Sequence, residues 1–178
     1  MGILKTFSVF VLIFVFFGCK KIDKFTQFNL EYTETFTIPS SVGMNLPFNF
    51  ISPDIETNST TEFEINDTRK DLIEEIKLTK LELTLKSPSS SDFSFLKSAE
   101  IFISADGLSD AKVAFIEDVP NNVGKNLSLQ TTEADLQEYI KKDKFELQLK
   151  VVTDKIIAAD HEIESYAVFY VDAKILGQ

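Results

Sequence analysis

IESYAVFYVDAKI, Ile163 to Ile175, is the stretch on which the fold turns. Ala167, Phe169, Val171, Ala173 and Ile175 fall on one side of an extended chain. Tyr166, Val168, Tyr170, Asp172 and Lys174 fall on the other. A period of two, rich in aromatic and β-branched residues, marks a strand with one buried face. The preceding FELQLKV repeats the pattern: Phe145, Leu147, Leu149 and Val151 alternate with Glu146, Gln148 and Lys150.

Working outward, the same period recurs. Phe28, Leu30, Tyr32, Phe36 and Ile38 oppose Asn29, Glu31, Thr33, Thr35 and Thr37, and Pro39 ends that run. Met44, Leu46, Phe48 and Phe50 alternate again, with Pro47 confining the segment to an edge or a bulge. Phe63 and Ile65 read as a short extended piece, and Asn66-Asp67-Thr68 as the cap of a brief helical turn through Leu72 and Ile73. The apolar phase of Ile76 and Leu78 slips by one residue before Leu81, Leu83 and Leu85. A slip of this kind around Thr79 predicts a β-bulge. Ser87 to Ser91 is a loop, and Ala99 to Ser104 a strand. Asp106-Gly107 is a turn before a strand through Val113 and Phe115, and Leu127 and Leu129 make a brief extended piece. Thr132, with Asp135 three residues on, predicts an N-cap and one helix from Glu133 to about Lys141.

The count is about eight strands and one short helix, with no sustained strand–helix–strand alternation. Half-buried strands must cover their apolar faces with another layer. The fold class expected is therefore all-β: an antiparallel β-sandwich, immunoglobulin-like, spanning residues 25–178 as a single domain. A closed β-barrel is the alternative.

The beginning of the chain is of another kind. Phe7 to Phe17 is an apolar run interrupted only by Ser8, preceded by Lys5 and followed by Gly18-Cys19-Lys20-Lys21. A membrane-spanning helix needs about 20 apolar residues, so this run is short for a span and right for the apolar core of a secretory signal. Phe16-Phe17-Gly18-Cys19 resembles a lipobox, the cleavage signal of bacterial lipoproteins. It departs from the commonest form in carrying Phe at both positions before Gly18. The resemblance covers residues 1–19. It implies a signal peptide over residues 1–18, lipid on Cys19 and a lipidated tether over residues 19–24. Two or three acyl chains hold a domain where one binds only marginally, each methylene contributing about 0.8 kcal/mol. Met1-Gly2 with Thr6 also fits a myristoylation pattern, but that would strand the apolar run in the cytosol. Phe- and Lys-rich, Arg-poor usage is compatible with an AT-rich genome, such as many Bacteroidetes have.

Charge and composition restrict the chemistry. The 178-residue chain carries a formal charge of -10, and Lys5 is the only charge before Cys19. Such a chain has no general attraction for nucleic acid. Arg69 is the only arginine, so arginine clamps on phosphate or carboxylate are not available. With a single cysteine there is no internal disulfide. The single histidine, His161, sits between Asp160 and Glu162 and reads as a solvated loop residue. No Gly-x-Ser-x-Gly elbow, paired zinc histidines or glycine-rich phosphate loop accompanies it. Asp106 to Asp110 lacks the ligand spacing of a calcium loop, because Leu108 falls where an oxygen donor is needed. Tyr166 and Tyr170 share a strand face with Val168; the strip covers a core or a neighbouring sheet, or stacks on a ligand.

The expectation is a non-catalytic module of the cell envelope, binding or structural, held to a membrane through Cys19 and taking no metal or cofactor. The lipoprotein resemblance implies that the residue after Cys matters for sorting; with Lys20 there and a basic tether, it implies the outer membrane, facing periplasm or surface, with an envelope protein or a glycan as partner. A carbohydrate-binding or adhesion module using Tyr166 and Tyr170 is one alternative. A hydrolase built around His161 is another; it would place His161 in a cleft beside a carboxylate and a hydroxyl.

Overall fold

In the computed structural model residues 27–40 and 45–174 are described. The expected signal peptide, Cys19 and the expected tether lie outside them. Strands β1 (Gln27–Ile38), β4 (Ile73–Ser87), β7 (Asn126–Ser128) and β10 (His161–Ala173) form one sheet in the order β1-β10-β4-β7. Strands β2 (Pro47–Ile51), β5 (Leu96–Ser104), β6 (Ala111–Ile116), β8 (Gln130–Thr131) and β9 (Lys144–Thr153) form the other, in the order β2-β9-β5-β6-β8. Two-residue β3 (Ile55–Glu56) also pairs with β9. Every pairing is antiparallel.

The order has a simple origin. β1 pairs with β10, β2 with β9, β4 with β7 and β5 with β6, so the chain is one long two-stranded ribbon folded back at the β5–β6 turn. Gly107 lies in that turn at φ 75, a left-handed conformation that glycine adopts without Cβ strain. The ribbon then coils on itself through β10·β4 and β9·β5. This is jelly-roll winding. The expected sandwich is present and open-edged. Its connectivity differs from the ABED and CFG order of an immunoglobulin domain, and the barrel alternative does not hold.

The alternation predicts the buried faces well. Phe145, Leu147, Leu149 and Val151 of β9 face Ile163, Ala167, Phe169, Val171 and Ala173 of β10 in one continuous core. Tyr32, Phe145 and Phe169 meet edge to face, with ring centroids 5.2 to 5.9 Å apart. Val168 pairs with Lys80 and Phe169 with Leu78, which leaves Thr79 as the extra residue of the expected bulge. Its Oγ1 donates to the Val168 carbonyl at 3.1 Å.

Several expectations are corrected. Phe63 and Ile65 lie in helix α1 (Ser59–Ile65), not in a strand. Asn58 before it and Asp67 after it adopt left-handed backbone, at φ 49 and 55, which Asn and Asp tolerate. Buried Phe63 plugs the end of the sandwich against Phe28 at 6.1 Å. Asn66 to Thr68 therefore ends α1; the brief helical turn expected through Leu72 is present as a 3-10 turn, Lys70–Leu72, with Arg69 at its cap. The helix expected over Glu133–Lys141 is the short α2 (Gln137–Ile140). The Asp135 carboxylate accepts from the amides of Gln137 and Ile76, and the Thr132 hydroxyl donates to the Lys112 carbonyl instead of capping. Among the described residues two α-helices replace the one expected, and ten strands the eight; the surplus strands are the two-residue β3 and β8.

The registers sort the connections between the two ends. Gln27, the helices and the β5–β6 turn lie at one, the near end. At the other, the far end, Ser40 bonds Asp160, Asn45 bonds Thr153 and Phe93 bonds Gly124.

Two outcomes follow from this packing. Phe169→Ala should lower unfolding free energy by about 3–5 kcal/mol, while outward-facing Thr35→Ala should change it by less than about 0.5 kcal/mol, both read from urea denaturation. Burial, with Glu62 adding to it, raises the Tyr32 phenol pKa far above its usual 10.0. The unfolded chain therefore loses this proton first, and stability present below about pH 10 declines as pH rises beyond it. The urea midpoint should fall less between pH 9 and pH 11 in Tyr32→Phe than in the wild type, at about 1 kcal/mol for the lost hydroxyl bond to the Thr57 carbonyl.

Candidate functional site

The outer face of the β1-β10-β4-β7 sheet carries the two tyrosines singled out by sequence. Tyr166 stands between Thr33 and Glu82, Val168 between Glu31 and Lys80, and Tyr170 between Asn29 and Lys77. Both tyrosines are half-buried on this outer face, so they do not belong to the core. Val168 between them is 8% exposed, covered by its neighbours on the same face. Four residues of strand set their Cα atoms about 13 Å apart.

The surroundings restrict what the strip can do. Lys80 Nζ lies 5.2 Å from the Tyr166 ring centroid, a cation–π contact occupying one face of the ring. The Tyr166 hydroxyl donates to Glu31, which holds its phenol above the ordinary range, with burial adding to the effect. Burial raises Tyr170 in the same direction. Tyr170 carries no cation over its ring among the described contacts. The strip offers two half-buried phenol rings rimmed by carboxylates and ammonium groups, a combination suited to stacking on a neutral polar ring. It holds no nucleophile–base pair.

His161 is placed otherwise than expected. It shares the inward phase of Ile163 and is 4% exposed, not solvated. Its ring stands edge to face on Phe95 at 4.5 Å, and Nδ1 lies 2.8 Å from the Ala159 carbonyl. A depression of about 320 Å³ at the far end brings Ser90, Ser91, Asp92 and Ser94 beside it. However, Asp92 accepts from the Ser94 amide and Asp160 from the Ser40 amide. Among the described hydrogen bonds none joins His161 to a hydroxyl or a carboxylate.

Three features escaped sequence reading. A cleft of about 570 Å³ at the near end is lined by Asp54, Asp106, Asp110, Lys144 and Glu146, with Lys144 paired to Asp54. Among the described residues no group of three or more His, Cys, Asp or Glu side chains is placed to hold a metal ion. On the outer face of the second sheet, Phe102 and Phe115 are half-exposed, with Lys112 Nζ 5.3 Å from the Phe115 ring. Phe102 was legible in principle, since it alternates with Ile101 and Ile103 and so must point away from the core. The third is a groove of about 310 Å³ beside β1, lined by Asn29, Glu31, Tyr32, Glu56, Asn58 and Glu62 among others. It is formed by the β3–α1 segment, which had no strand-like signal to reveal it.

No family model matches the chain, and no curated protein matches it in sequence. Among solved structures, one from desmodium yellow mottle tymovirus aligns at TM-score 0.30 and 9% identity, covering 84% of this chain and 91% of that one. One from turnip yellow mosaic virus aligns at TM-score 0.27 and 9% identity, covering 85% and 98%. Neither likeness adds to the fold read from the strand order.

Proposed function

We propose that this chain is a cell-envelope lipoprotein whose β-sandwich is a non-catalytic binding or structural module. The observation that carries the reading is the apolar run Phe7–Phe17 ending at Gly18-Cys19, followed by Lys20 and Lys21. Lipid on Cys19 would be the membrane anchor, and the two lysines would sit beside anionic headgroups, at about 1 kcal/mol each. The described residues begin at Gln27, and residues 20–26 can reach at most about 25 Å. On this reading the near end faces the bilayer and the far end faces outward. The far end presents Leu46 and Ile156, 59% and 76% exposed, and its serine-rich loop. The outer membrane, facing periplasm or surface, is the location proposed. Intact mass and membrane fractionation test the anchor. The wild type should carry lipid at residue 19 and sediment with membranes, while Cys19→Ala should do neither. A wild type that keeps residues 1–18 and carries no lipid defeats the reading.

A separate observation favours a carbohydrate-binding role within this frame: Tyr166 and Tyr170 lie on the outer face and not in the core. Stacking on a sugar ring would displace Lys80 from Tyr166 and use the open ring of Tyr170. In glycan-array binding, Tyr170→Ala should weaken capture by about tenfold, the loss of one stacked ring. Lys80→Ala should leave capture equal or stronger. Capture that is insensitive to Tyr170→Ala removes the sugar reading and leaves the anchor untouched.

A further inference from the structure

The open edges of the two sheets are unequal. β7 has three residues, β8 has two, and β2 has five and begins with Pro47. Short length and proline are the usual protections against pairing with another chain. β1 has neither. It runs for twelve residues with no proline and no lysine, in unbroken register with β10 from Gln27–Asp172 to Ile38–His161.

The orientation of its free groups can be read from side chains. Ser165 Oγ donates to the Glu34 carbonyl at 3.3 Å, so that carbonyl faces β10. By the alternation of an antiparallel ladder, Asn29, Glu31, Thr33, Thr35 and Thr37 turn their N–H and C=O groups the other way. Among the described residues no backbone hydrogen bond reaches that side of β1. The groove of about 310 Å³ runs along the first part of this edge and brings Glu31, Glu56 and Glu62 to it, with Glu34 further along the strand. Neither β1 nor the groove lining contains a lysine or arginine, and no described ion pair involves these four carboxylates, although Glu31 accepts from Tyr166 and Glu56 stands opposite Lys144 in the β3–β9 ladder.

We infer that the β1 edge takes an extended, lysine- or arginine-bearing segment of another protein as an added antiparallel strand. Backbone hydrogen bonds from the outward groups of β1 would supply the affinity. Alternate basic side chains would meet Glu31, Glu56 and Glu62, fixing the register. A second copy of this chain is the weaker occupant, because it would bring Glu31 of each copy to the acidic groove of the other, on chains of formal charge -10. The inference names the partner class of the proposed binding module and rests on that module reading, but not on the lipid anchor.

The test uses the full-length chain in detergent and a fluorescein-labelled twelve-residue peptide of alternating valine and lysine. The control peptide has the same sequence with its backbone amides N-methylated, which keeps the charge and removes the strand hydrogen bonds. Thr33→Pro removes one outward donor and leaves the β10 ladder whole; Glu56→Lys with Glu62→Lys reverses the groove charge without touching β1. The unmodified peptide should bind by anisotropy and slow the hydrogen exchange of the Asn29, Glu31 and Thr35 amides. Methylation, Thr33→Pro and the charge reversal should each weaken binding by about tenfold or more. Absence of binding, equal binding of the methylated peptide, or binding unchanged by the charge reversal overturns the inference. So does a chain that sediments as a dimer with those amides already protected, which assigns the edge to a second copy. Membrane fractionation of the same preparation reports on the anchor separately.

Discussion

Three rings hold the two sheets to one another. Tyr32 from β1, Phe145 from β9 and Phe169 from β10 meet edge to face, so a single cluster joins both strands of one ribbon pair to a strand of the facing sheet. Aromatic contacts of this geometry add to ordinary apolar burial. The cluster also fixes the near end, because the Tyr32 hydroxyl donates to the Thr57 carbonyl, and Thr57 in turn donates to the Lys142 carbonyl. The segment carrying α1 is thus fastened to the connection that leads into β9. The groove beside β1 exists because that fastening holds the segment close to the strand without letting it pair.

Much of the fold is legible in the sequence where the information is local. The inward residues of β9 and β10 are those of the two-residue period. The bulge at Thr79 shows as the spacing from Leu78 to Leu81. What is not legible is which strand lies beside which, since β1 finds β10 across nearly the whole chain, and no periodicity encodes a partner. The helix around Phe63 was hidden for a different reason. Only Ser59 and Phe63 of its seven residues are buried, too few to display a helical period. The Asn58 and Asp67 turns that frame it look like ordinary polar loop residues.

The candidate site was half legible. Parity alone puts Tyr166 and Tyr170 opposite Ala167 and Phe169, and the structure keeps them there. The same parity puts His161 inward, two residues before Ile163, although its acidic neighbours in sequence suggest a solvated position. Lys80 over Tyr166 is a product of the Thr79 bulge, which resets the lysine to the outer face beside Val168. The β1 edge could not be recognised as open until the other three edges were seen to be short.

The ribbon winding also sets the order in which the domain can form. β1 is the first strand of the sandwich to leave a ribosome or a translocation pore, and β10 is the last. Local hairpins such as β5–β6 can close at once, but the β1 ladder closes only when Ser165 can reach Glu34, 131 residues away. Topologies dominated by such distant pairing fold slowly. During that interval β1 lacks partners on both sides, and its six inward residues from Phe28 to Ile38 are uncovered. The glutamates and threonines spaced along it serve the nascent chain as much as the finished domain, keeping a waiting strand soluble until its partner arrives.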